Sequence, residues 1–529
     1  LIEAGALFAT LAVLRAPSLV EPPWSADEGT YANIGRSLDL GGVLYRTVWD
    51  NKPPGVYWLA AAVSAGGASV LRVRLALCLL VAAGTALVWI TGRRLGGLRV
   101  GLAAGLVFAI LASVPNFDGN QLNAEIPGAV FALAGMTVLL HRFPAGRLRP
   151  VVAGVSFGAA VLFKATFVLD LLAALAVPAL AALAAGRRPG RAEARPTVLI
   201  GAGALAAIAL ALVPLAVQGA LPAFLDVVVH QDTRYAQWAQ LTGPRGGEPI
   251  GFDRTPGLLL QVVGLSRLAA VLAAGGVLAV ILARHRHRAG SVLAWWLSCD
   301  LAACMADSRG FTHYAQQLEG SLSLAAALGA ATAWRRGGLR WRVLAAAALA
   351  AVWPVMIGAL FVPRAEAALA EGHRLPPLFL EGSSGRQLPA YYARAARLAL
   401  GRIGIDSYHR AFAGSQYPAD TGRAEVLREH SHPGRPVFVW GWTSSWVYAL
   451  ADRRPASRFI WMNSAYHLYR GAERLLISDL AATPPEVLLA EQPLTPELRA
   501  LLDSRGYMRV SDPMGDCWLA PGAPGRPDG

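Results

Sequence analysis

The sequence predicts a polytopic α-helical membrane protein of about eleven transmembrane helices, followed by a small α/β domain at the C-terminus. Three observations carry this. The chain of 529 residues is 55% hydrophobic and only 16% charged. Its apolar residues are gathered into runs close to the ~20 residues that a helix needs to cross a hydrocarbon core. The last third of the chain changes character, to short apolar strands alternating with amphipathic helices.

The charge fixes how the runs are threaded. Five short connections, 92–99, 141–149, 186–195, 283–288 and 334–342, hold 17 arginines in 42 residues, with Glu193 as the one acid. The alternate connections, 21–74, 116–124, 218–266 and 307–313, carry far fewer basic residues over a much greater length. The positive-inside rule makes the first set cytoplasmic and the second extracytoplasmic. The net charge of +14 is therefore topology signal and gives no nucleic-acid surface. Residues 150–185 have basic flanks at both ends, so an even number of crossings is required and a hairpin is expected to turn near Lys164. The expected spans are 1–20, 75–91, 100–115, 125–140, 150–164, 166–185, 197–217, 267–283, 290–306, 314–333 and 343–362. The first is expected to be a retained span. Residues 1–362 then form the transmembrane domain, and 363–529 an extracytoplasmic α/β domain.

In that domain the pattern predicts helices at 387–403, 421–430, 473–481 and 495–504. Strands are predicted at Val437–Trp440, Arg458–Trp461, Val487–Ala490 and Tyr507–Val510. Four cysteines give no disulfide framework. No zinc motif, phosphate-binding glycine loop or nucleophile elbow occurs, and the histidines of 284–288 sit among arginines in a cytoplasmic loop.

The chemistry is expected in the outer loops. Asp27 and Glu28 are adjacent carboxylates just beyond the first span. One suits a general base and the other a substrate or metal contact, although acids also suit a helix N-terminus. Lys52 stands out because 46 of the 48 basic residues are arginine; the other lysine is Lys164. A compact ammonium suits a phosphate oxygen, and the two prolines after Lys52 fix its reach. Lys164 has a snorkelling role as its alternative. Asn123 suits an N-cap and Glu125 the first helical turn, or both line a polar substrate site. Arg309 and His313 suit a phosphate or pyrophosphate group, with Tyr314 either beside them or in an aromatic belt.

The string DEGTYANIGRSLDLGGVLYRTVWDNKPPGVYWL (27–59) resembles the first outer loop of the GT-C superfamily. The branch is the bacterial relatives of the protein O-mannosyltransferases and aminoarabinose transferases, the glycosyltransferase family 39 type. QLNAEIP (121–127), GVSFGAAVLFKATF (154–167), SRGFTHYAQQL (308–318) and VFVWGWTSSWVYALADRRPASRF (437–459) add to the resemblance. It implies a GT-C fold in a bacterial plasma membrane and a hexosyl- or pentosyltransferase. The donor would be a polyprenyl-phosphate sugar, the acceptor an extracytoplasmic hydroxyl of a glycan, lipid or protein, and the displacement inverting. It makes Asp27 the general base, with Glu28 beside it in the paired motif. Lys52, Arg309 and His313 become donor-phosphate contacts, and Tyr31, Asp50, Asn51, Asn123, Glu125, Lys164 and Tyr314 substrate contacts. A divalent metal is left open. In the aminoarabinose branch a glutamate directly precedes the lysine; here Asn51 does, with Asp50 one position earlier. A transporter or flippase of lipid-linked sugars is the alternative, but ionisable residues along a conduction path would mark it, and here they gather at the outer side.

Overall fold

The expected spans emerge as helices in a computed structural model, which describes residues 2–141, 146–231, 269, 271–306, 312–335, 337–340, 343, 387–412, 417–441, 446–460 and 471–526. Numbering helices of nine residues or more, they are α1 (Ile2–Arg15), α2 (Ala26–Asp39), α3 (Gly55–Ser64), α4 (Val70–Gly96), α5 (Leu98–Leu111), α6 (Glu125–Leu140), α7 (Leu148–Val161), α8 (Val168–Ala184), α9 (Arg191–Val217), α10 (Val271–Arg284), α11 (Arg288–Ala306) and α12 (Glu319–Arg335). Each of the first ten expected runs coincides with a helix; residues 344–362 of the eleventh lie outside the described residues. Among the described residues, five helical segments are long and apolar enough to cross a membrane, α4, α9 and α11 among them. The chain is thus a helical membrane protein.

Local chemistry sets the boundaries. Ser25 caps α2 by accepting from the Glu28 N–H, and Ser69 caps α4 through the Arg72 N–H. Such caps contribute about 1 kcal/mol each. Gly97, at φ +88°, turns α4 into α5 in a conformation only glycine adopts cheaply. Between α7 and α9, Gly154 and Gly158 face Gly203 and Ala204 so closely that a Cβ at any of these glycines would strike the opposite backbone. Small residues let helix backbones approach in this way where no hydrophobic gain drives association in lipid. The hairpin turn between α7 and α8 falls at Lys164, which precedes a 3-10 turn, Ala165–Phe167.

The two kinds of connection segregate to opposite ends. At one end Arg335 donates to the Gly96 carbonyl (3.0 Å). There a cavity of about 510 Å³ is walled by Arg94, His141, Arg149 and Arg288. At the other end lie the first loop, 118–125, Lys164 and His313. Helix lengths differ between the two ends. The 27 residues of α4 and α9 rise ~40 Å, whereas α5, α6 and α7 rise only ~21–24 Å. The short helices therefore span less of the height of the bundle than α4 and α9.

The tail contributes α13 (Gln387–Ala399), α14 (Tyr417–Glu429), α15 (Ala472–Ala482) and α16 (Pro496–Ser504). They accompany a four-stranded sheet, β1 (Phe438–Trp440), β2 (Val487–Ala490), β3 (Met508–Asp512) and β4 (Gly515–Leu519), in the order β1-β2-β4-β3. β1 and β2 are parallel, and β4 runs antiparallel to both β2 and β3. The pattern missed β4, whose five residues form the return arm of a hairpin. The predicted strand Arg458–Trp461 is not in this sheet. Phe459 instead forms an isolated bridge with Trp49, and the Trp49 N–H donates to the Arg458 carbonyl (2.8 Å).

The tail and the first loop share one hydrophobic core, in which Tyr31, Ile34, Trp49 and Tyr57 join Val437, Phe459 and Leu488. Polar ties fix the register. The Trp446 indole donates to the Ser25 carbonyl (2.8 Å), the Ala449 N–H to Asn33 (2.7 Å), and Arg36 pairs with Asp452 (2.7 Å). Tyr391 of α13 donates to buried Glu21 (2.5 Å).

Candidate active site

The helix α2 presents Asp27 and Glu28 to different surroundings, because successive helical residues lie about 100° apart. Asp27 keeps 30% of its side chain exposed. Its Oδ2 lies 3.9 Å from Lys52 Nζ and accepts from the Tyr31 hydroxyl at 3.4 Å, one helical turn on. Lys52 also stands 5.1 Å over the Tyr31 ring. The loop is held rigid beneath it: Tyr45 donates to the Lys52 carbonyl (2.8 Å), and the Lys52 N–H donates to Tyr57 (3.1 Å). Tyr57 in turn donates to Asp50 (2.7 Å). Asp50 is thus buried beneath the lysine, and half-buried Asn51 lies between them in sequence.

Charge interactions tune this pair. Burial works to raise the Asp27 pKa, but Lys52, His313 and the Tyr31 hydroxyl outweigh it and hold it below the ordinary carboxylate value. Burial disfavours the Lys52 ammonium, yet Tyr31, Asp27 and Asp50 together hold its pKa well above the usual lysine value. Burial also raises Asp50. Asp27 is accordingly an ionised carboxylate beside a permanently charged ammonium.

A second cluster joins three other connections. Lys164 pairs with Glu125 (2.6 Å) and lies 3.5 Å over the Tyr314 ring. It is therefore an inward ion-pair partner and does not snorkel. His313 lies between Asp118 (3.2 Å) and Glu125 (3.9 Å), with Tyr314 edge-on at 4.8 Å. Burial opposes the imidazolium, but Glu125, Asp118 and Asp27 raise its pKa to about 9. The raised value means that the stabilisation from charged His313 is complete below its ordinary 6.5 and is lost as pH rises through about 9. Activity is expected to be flat from about pH 6 to about pH 8 and to fall through about 9, a limb that His313→Gln removes in a pH–rate profile. A profile unchanged by that substitution would dissociate His313 from the limb.

Two expectations need correction. Glu28 does not share the site with Asp27. It is fully buried, 2.7 Å from Arg74 and accepting from the Leu122 N–H (3.4 Å). Arg74 also reaches Glu21 (3.7 Å), which binds Trp24 and Asn120. Burial pushes Glu28 up to about 7 despite Arg74. A neutral amide therefore mimics it well at neutral pH, and Glu28→Gln should keep turnover within about 3-fold of wild type. A loss comparable to that of Asp27→Asn would return Glu28 to the chemistry. Asn123 is not the cap of α6 either. That place falls to Ala124, with no side-chain cap, and the Asn123 amide is buried with no hydrogen-bond partner among the described residues. Arg309 lies outside the described residues, as does most of 218–266.

The sequence reading passed over Asp118, Arg74, Gln317 and Tyr57. The signal for Arg74 was an arginine at the mouth of a span, away from the arginine-rich loops. Asp118 lies in the same loop as Asn123, but its histidine partner is 195 positions away. Among the described residues no group of three His, Cys, Asp or Glu gathers as a metal site.

The comparisons with known proteins bear on the fold. Residues 51–215 match the family model described as dolichyl-phosphate-mannose-protein mannosyltransferase. The structure resembles ArnT from Cupriavidus metallidurans bound to undecaprenyl phosphate, with a TM-score of 0.53 and 16% identity over 97% of each chain. The apo state of the same protein gives 0.51 and 15%, again over 97% of each chain. No curated protein sequence matches. The matched segment begins at Asn51, beside Lys52, and runs through Asp118, Glu125 and Lys164 to the end of α9. Residues 51–215 are thus similar to the dolichyl-phosphate-mannose-protein mannosyltransferase family, and the chain as a whole shares the fold of ArnT.

Proposed function

We propose that the chain transfers a sugar from a polyprenyl-phosphate donor to an acceptor hydroxyl at the outer face of a bacterial plasma membrane, by an inverting in-line displacement. The observation that carries this is the Asp27–Lys52 pair, an ionised carboxylate and a fixed ammonium 3.9 Å apart at the end of the bundle opposite the arginine-rich connections. The undecaprenyl phosphate in the ArnT structure supports the donor class. Segregation of the arginine-rich connections to the opposite end supports the orientation.

The donor's isoprenoid chain runs between the outer ends of the spans, and its phosphate meets Lys52, with Arg309 and His313 as further contacts. Asp27 takes the acceptor proton as the hydroxyl attacks the anomeric carbon. The anomeric C–O bond breaks and polyprenyl phosphate leaves, its charge stabilised by Lys52, whose side chain is mostly buried. Tyr31 orients Asp27; Asp50, through Tyr57, holds the lysine's backbone. Asn51, Asn123, Glu125, Lys164 and Tyr314 shape the surroundings of the sugar, and the tail borders the acceptor's approach. Residues 363–529 are then extracytoplasmic, after eleven crossings.

Purified protein should release sugar from a synthetic polyprenyl-phosphate sugar and not from a nucleotide sugar. Release from the nucleotide sugar alone would overturn the donor assignment. Lys52→Met should raise the donor KM about 10–100-fold, the worth of one charge-assisted hydrogen bond. An unchanged KM would remove Lys52 from the phosphate.

A further inference from the structure

Two acids inside the helix bundle take no part in the chemistry above. Asp170 lies in the first turn of α8 and Asp300 near the end of α11, and both are fully buried. An ionisable side chain within a span is costly and persists where it does something. Asp170 receives two donors: Trp296 Nε1 on Oδ1 at 2.8 Å and Gln317 Nε2 on Oδ2 at 2.6 Å. Ser321 of α12 donates to Oδ2 of Asp300. The other oxygen, Oδ1, is buried without a donor among the described residues. Asp170 and Asp300 stand beside each other where α8 packs on α11. Both oxygens of Asp170 are already occupied as acceptors.

Gln317 connects this pair to the site. Besides Asp170 it accepts from the Thr166 hydroxyl (2.8 Å) and donates to the Thr166 carbonyl (3.4 Å). Thr166 lies two residues beyond Lys164 in the hairpin turn. Gln317 ends the 3-10 segment Thr312–Gln317 that carries His313 and Tyr314. One amide thereby bolts the segment bearing His313 to the turn bearing Lys164.

We propose that the Asp170–Asp300 pair is a positioning device for the donor site. Through Gln317 it fixes the His313–Tyr314 segment against Lys164 and Glu125. This rests on the donor-binding reading above, and Asp170 and Asp300 are positioning residues that touch no substrate.

The roles within the pair are unequal, and this supplies the test. An Asn at 300 can donate to Asp170 and accept from Ser321, whereas an Asn at 170 turns an N–H toward a donor. Kinetics would be measured with a synthetic polyprenyl-phosphate sugar, alongside backbone hydrogen exchange of residues 312–317 in the full-length protein without donor. We expect Asp170→Asn and Asp300→Leu to raise the donor KM about 10-fold, with kcat within about 3-fold, and to speed exchange in 312–317. Asp300→Asn should restore both readouts toward wild type. Unchanged exchange in Asp170→Asn would overturn the proposal whether or not the protein turns over the donor. So would faster exchange with an unchanged KM, or Asp300→Asn behaving like Asp300→Leu. Failure of the wild type to use any lipid-phosphate sugar would overturn the donor reading, and exchange would still report on the bolt.

Discussion

Asp27→Asn is expected to lower kcat by ~10²–10⁴, the usual worth of a positioned general base, while donor binding changes little. Asparagine keeps the size of the side chain and its hydrogen bond with Tyr31 but cannot take a proton. Loss of the negative charge 3.9 Å from Lys52 frees that ammonium for the phosphate, so donor affinity should hold or improve slightly. The measurement is sugar transfer from a polyprenyl-phosphate sugar, paired with equilibrium binding of polyprenyl phosphate. Equal turnover in mutant and wild type would remove Asp27 from the mechanism. Parallel loss of turnover and binding would make it a structural residue of the first loop.

Arg74→Met should be the most damaging substitution for stability. Its guanidinium is fully buried between Glu28 (2.7 Å) and Glu21 (3.7 Å), both without exposed surface. Removing one partner of a buried ion pair leaves the other uncompensated, at a cost of about 3–5 kcal/mol. Here Glu21, and the ionised fraction of Glu28, lose their partner. Glu21 also anchors Asn120 and Tyr391, so the loss should spread to the loop before α6 and to α13 of the tail. Thermal unfolding in detergent would read this, and Glu28→Gln in the Arg74→Met background should recover part of the loss through coupling between contacting groups. A midpoint within experimental error of wild type would show that water or lipid reaches these groups.

The same residues show where reading along the chain succeeds. The hairpin at Lys164 followed from charge on its flanks, which is a property of local sequence. Lys52 is singled out by lysine's rarity and the prolines that constrain it, and the structure sets it 3.9 Å from Asp27. Glu28 was misread because adjacency in sequence suggested a shared role, while helical geometry gave it a different neighbour. β4 and the Trp49–Phe459 bridge were missed because strand pairing joins distant segments, and short strands carry little periodic signal.

The sequence by itself determined that the chain spans a membrane, which connections share an end, and where an acid and a lysine stand in the first loop. These depend on hydrophobic run length, on charge in short loops and on the rarity of one residue type. Only the tertiary structure decided that Arg74 claims Glu28. It alone joined His313 to Asp118 and Lys164 to Glu125, and bonded Asp170 to Gln317. Those pairings span from 39 to 195 positions. A buried charge is matched to whatever group folding brings within a few ångströms, and distance along the chain does not encode that.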